Sequence, residues 1–73
     1  SMHLSLSEQY SMDRPSGIRQ SMDMLAAQLL SLHAAHHAAM GCLASMIDTA
    51  QRTGQPLDGA TYLACVQRQI TKV

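Results

Sequence analysis

Residues 17–52 read GIRQSMDMLAAQLLSLHAAHHAAMGCLASMIDTAQR, and this stretch decides the fold. It contains no proline and, after Gly17, one glycine, Gly41. Ile18, Met22, Leu25, Leu29, Leu32, His36, Ala39, Leu43, Met46 and Ala50 recur at alternating steps of four and three, the pattern of an apolar seam on a helix. A second row, Ala26, Leu30, His33, His37, Met40, Ala44 and Ile47, widens the face beyond what a two-stranded coiled coil uses and suits a bundle. Gly41 falls on the opposite side, so the phase of the seam passes it without slipping. The spacing predicts one continuous helix over residues 17–52, about 50 Å long at the α-helical rise.

Downstream, Arg52-Thr53-Gly54-Gln55-Pro56 offers a basic last turn, a glycine for a left-handed helix end and a proline suited to open the next helix. Asp58 complements the positive end of that second helix, expected over residues 56–71, whose stripe is Ala60, Leu63, Val66, Ile70 and Val73. The product is an all-α helical hairpin with arms of unequal length. The short arm covers only the C-terminal half of the long one, which leaves Ile18, Met22, Leu25, Leu29 and Leu32 without an intrachain partner. Five such side chains at about 1.5–3 kcal/mol each are too much to leave in water for a small domain. The hairpin is therefore expected to dimerise into an antiparallel four-helix bundle, with Ile18, Met22, Leu25, Leu29, Leu32, His36, Ala39 and Leu43 as the interface. A helical protein partner on the same surface is the alternative.

Upstream, residues 1–15 (SMHLSLSEQYSMDRP) scatter Leu4, Leu6 and Tyr10 among polar residues with no sustained period. They read as a flexible N-terminal arm preceding a hairpin domain over residues 16–73. The opening Ser-Met reads as a remnant of tag removal, with the native start at Met2.

The 73 residues are 47% hydrophobic and 14% charged, and five basic residues balance five acidic ones, which describes one small unit without a field to attract nucleic acid or an anionic membrane. No apolar run approaches the roughly 18 residues of a membrane span, and no signal-peptide order appears, so a cytoplasmic location is expected. In that reducing compartment Cys42 and Cys65 read as packed thiols, although the hairpin register sets them opposite each other and a bridge is geometrically open. The acids Glu8, Asp13, Asp23, Asp48 and Asp58 stand singly, and no phosphate-binding loop or activated nucleophile is evident. The chain reads as non-enzymatic and without a cofactor.

The residues that stand out are His33, His36, His37 and Met40, which share one patch of the helix. His33 and His37 are one turn apart and can reach a common ion, with Met40 as a soft third ligand, so zinc or copper is the candidate cofactor. Ala34 stands where a zinc-protease helix needs glutamate. Near the centre of an antiparallel dimer these imidazoles would be desolvated and would repel one another once charged, holding their pKa values below about 6.5. The sequence thus points first to a self-associating protein–protein interaction module. In architecture it resembles the short helical adaptors, chaperones and regulators of bacteria. A metal-binding helical bundle is the alternative.

Overall fold

The computed structural model describes residues 1–70. Within them the chain forms α1 (Met2–Met12), α2 (Ile18–Leu29), α3 (Leu32–Thr53) and α4 (Gly59–Ile70). The all-α class is as the periodicity predicts. The architecture is not a hairpin, because the helix expected to run unbroken over residues 17–52 is two helices. Leu30 adopts the left-handed conformation with φ 57°, and the N–H groups of Leu30 and Ser31 both close onto the Ala26 carbonyl. Ser31 is extended, and its hydroxyl accepts the Ala34 N–H at 3.1 Å, capping α3. A serine N-cap replaces the carbonyl partner that a continuous helix would provide, which offsets part of the cost of the left-handed Leu30.

The reversal changes what buries the seam. α2 folds back so that α2, α3 and α4 pack against one another, while α1 lies across α2 and α3. Ile18, Met22, Leu25, Ala39 and Leu43 are at most 5% exposed within the single chain. The apolar surplus that called for a second copy is therefore largely covered from inside, although Leu29 and Leu32 remain exposed. The longest dimension is 37 Å rather than the length of a straight 36-residue helix, and the radius of gyration is 11.6 Å. A compact chain of this length is expected near 11 Å, by roughly 2.2·N^0.38.

The segment expected to be a flexible arm is α1. The Ser1 hydroxyl accepts the Leu4 N–H at 3.2 Å, and Leu6, the one buried residue of this helix, is 2% exposed. The Tyr62 hydroxyl donates to Gln9 Oε1 at 2.6 Å and the Tyr10 hydroxyl to Asp23 at 2.8 Å. Arg19 donates through Nε to the Tyr10 carbonyl at 3.0 Å and through Nη2 to the Ser11 carbonyl at 2.8 Å. The turn into α2 is organised by Asp13, whose carboxylate accepts the Gly17 and Arg19 N–H groups at 3.2 and 3.0 Å. Gly17 holds φ 100°, a conformation that favours glycine, while a Cβ there would make only an ordinary contact with Leu63.

Gly54 ends α3 in the left-handed conformation, φ 70°, as the Arg52–Pro56 segment predicts. α4 begins at Gly59 instead of Pro56, because Asp58 makes the cap: its carboxylate accepts the Thr61 N–H at 3.1 Å and the Thr61 hydroxyl at 2.7 Å. Those bonds, the Thr61 hydroxyl first, hold the Asp58 carboxyl below its ordinary range. The expected end of this helix at residue 71, and Val73 of its stripe, lie outside the described residues. Cys42 and Cys65, expected as packed thiols, form a disulfide between α3 and α4. The antiparallel register already placed them opposite each other, and their Cα atoms are 5.7 Å apart, within reach of a bridge. Among the described residues no helix is long and apolar enough to cross a membrane.

Candidate metal centre

Ser31 starts α3 so that His33 and His37 follow on one face, one turn apart, and their rings meet edge to face with centroids 4.3 Å apart. α1 crosses the same face and brings His3 to it, with ring centroids 5.9 Å from His33 and 5.7 Å from His37. One ligand nitrogen from each of His3, His33 and His37 lies within 4.8 Å of the other two, and all three side chains are exposed. Around a tetrahedral ion held at about 2.05 Å, imidazole nitrogens stand about 3.4 Å apart. The fourth histidine, His36, is half-buried beneath them, and its Nδ1 lies 3.3 Å from Nδ1 of His3. Burial first, then the neighbouring His3, His33 and His37, hold His36 below the ordinary histidine pKa.

The sequence patch thus divides. His33 and His37 form the pair that the one-turn spacing predicts. Met40, expected as a soft ligand, is half-buried and packs against the core. His36, expected at a dimer interface, contacts His3 of its own chain. His3 is the residue that sequence reading missed, because it stood in the supposed arm. The available signal was the spacing of His3, Leu6 and Tyr10, which is that of one helical face.

Carboxylates do not enter this group. Asp13 and Asp58 cap helices, Asp23 accepts from Tyr10, and Asp48 pairs with Arg52 at 2.9 Å. Glu8 lines a separate groove with Ser5, Gln9, Met12 and Arg14. The arrangement is therefore a trio of neutral nitrogen donors at the surface, drawn from two helices thirty residues apart in sequence. Such donors suit zinc, copper(II), nickel or cobalt over magnesium or calcium.

No curated protein and no solved structure matches the chain. The model of one family, described as a domain of unknown function (DUF1841), matches residues 1–68, and the chain belongs to that family.

Proposed function

We propose that this chain is a small helical metal-binding module in which His3, His33 and His37 hold one divalent transition-metal ion of the zinc type. The observation that carries the reading is the meeting of three exposed imidazoles from α1 and α3 with their ligand nitrogens within 4.8 Å. An ion there would join α1 to α3 and offset the weak burial of α1, whose apolar anchor is Leu6 alone. Its binding energy would then add to the docking of α1. Metal analysis of purified protein, followed by zinc titration of chelator-stripped protein against a competing chromophoric chelator, tests it. One ion per chain with a sub-micromolar Kd is expected, and His3→Ala and His37→Ala should each weaken it at least tenfold. A chain that takes up no stoichiometric zinc, copper or cobalt overturns the reading.

A second reading, association with another copy or with a helical partner, draws support from the α2–α3 turn. Leu29, Leu30 and Leu32 are 40%, 91% and 59% exposed there, an apolar corner that self-association would cover. Light scattering at micromolar concentration separates the two readings. A dimer that Leu30→Asn and Leu32→Ser disperse supports association, and a monomer removes its basis.

A further inference from the structure

We infer that the ion held by His3, His33 and His37 keeps one open position, and that this position binds small anions from solution. The inference rests on the metal reading above and goes beyond it to the ligand the centre accepts. Its first support is the donor count. Among the described residues the cluster offers three protein ligands, whereas a closed structural zinc site has four. Three protein ligands and an exchangeable water is the composition of zinc sites that handle substrates.

Charge is the second support. Three neutral imidazoles would leave the two positive charges of the ion uncompensated; of the protein's own acidic side chains, Glu8 lines a separate groove and the four aspartates are committed elsewhere. Asp13 is held by the N–H groups of Gly17 and Arg19, Asp23 by Tyr10, Asp48 by Arg52 and Asp58 by Thr61. An anion from solution is the remaining source of compensation, and near a metal ion the ion's own charge dominates the local electrostatics.

Access is the third. His3, His33 and His37 are all exposed, so an ion held between them would lie at the surface within reach of solvent. The half-buried flank is occupied by His36, which engages the Nδ1 side of His3. There it acts as a positioning residue, fixing the ring orientation of a ligand as outer-shell partners of metal-bound histidines do. Anion binding there would be a ligand exchange, the anion taking the place of a solvent water with no change of oxidation state.

Cobalt(II) is the probe, because its visible spectrum reports coordination. Chelator-stripped protein is loaded with one equivalent of cobalt, then titrated with azide, acetate and bicarbonate, each against chloride at matched ionic strength. A saturable spectral change with acetate and bicarbonate at millimolar concentration, competed by azide, is the expected result. His36→Ala should keep that response while weakening cobalt binding by about 10–100-fold, the usual effect of losing an orienting partner. If one cobalt binds tightly and the spectrum ignores all three anions, the site is closed and the inference is overturned while the metal reading stands. A response that emerges only in His36→Ala makes His36 the fourth ligand and also overturns it. So does a stoichiometry of one ion to two chains, with the second copy supplying the missing ligand. Failure to bind cobalt or zinc at all removes the metal reading itself.

Discussion

Replacing Leu6 by alanine tests how α1, and with it His3, is held in place. Leu6 is 2% exposed and is the only buried residue of its helix. Its truncation forfeits the transfer free energy of the isobutyl group and leaves a cavity between α1 and the helices beneath it, a cost of about 2–5 kcal/mol. Polar contacts share the docking: Tyr62 to Gln9, Tyr10 to Asp23, His3 to His36, and the two Arg19 bonds to α1 carbonyls. Five such bonds at about 0.5–1.5 kcal/mol each amount to about 2.5–7.5 kcal/mol, so the apolar anchor is comparable to these five together. Losing it should undock α1 locally before the α2–α4 core opens. Urea melts should show lower stability by about 2–4 kcal/mol, and amide exchange in α1 should accelerate more than in α3. Zinc affinity should fall with the docking equilibrium, at roughly tenfold per 1.4 kcal/mol of undocking free energy. Leu4→Ala, on the same helix but at a 59% exposed position, is the control and should be nearly silent. If Leu6→Ala leaves the melt and α1 exchange at wild-type values, α1 is not held by this contact and the packing argument fails.

Three further outcomes follow from groups outside the candidate site. Burial pushes the Tyr62 phenol up to about 12, so the unfolded chain loses this proton first as the pH rises. Stability should therefore decline from pH 10 toward 12, by about 2–3 kcal/mol in total; a Tyr10→Phe background isolates the phenolate absorbance, and ionisation near 10 in a folded chain would contradict the burial. The Cys42–Cys65 bridge closes a loop between positions 23 apart, so reduction should lower stability by about 3 kcal/mol in the chain-entropy account, and coincident urea melts with and without reductant would refute it. Asp58 has a depressed pKa, so its contribution is present above 3.8 and lost as the pH falls through its folded value. Asp58→Ala should lower the thermal midpoint at neutral pH, and a melt indistinguishable from wild type would remove its role as a cap.

What could be read from the sequence was what local chemistry decides. The end of α3 was legible because Gly54 and Arg52 state it, and the pairing of His33 with His37 because helical spacing alone sets it. The break at Leu30 and Ser31 was hidden by the seam itself. The step from Leu29 to Leu32 keeps the heptad phase, so periodicity alone carries the helix through the turn, although the reversal leaves both leucines exposed. The N-cap chemistry of Ser31 was the one signal that marked the reversal. α1 was obscured for another reason. A helix with one buried leucine has almost no stripe, and its stability comes from tertiary contacts that a local window does not contain. Missing α1 meant missing His3, so a site spread over two helices looked like a histidine pair with a methionine beside it.

The demand that the sequence made for outside support still has a physical meaning once the fold is known. A chain this short buries too little surface to be secure from its core alone. The ten side chains of that core are unevenly supplied: α2 contributes Ile18, Met22 and Leu25, α4 contributes Tyr62 and Val66, and α1 contributes Leu6. α2 carries no crosslink and has the bulkiest apolar contribution. α4, with a smaller share, is tied to α3 by the Cys42–Cys65 bridge. α1 has the smallest share and carries His3 to the two histidines of α3. Under the metal reading, each helix that cannot bury enough to hold itself is fastened to α3 by a bond of another kind, and the weakest anchored helix receives the ion. Binding at this centre would then control whether α1 is docked, so loss of metal should first be felt in α1 rather than in the α2–α4 core.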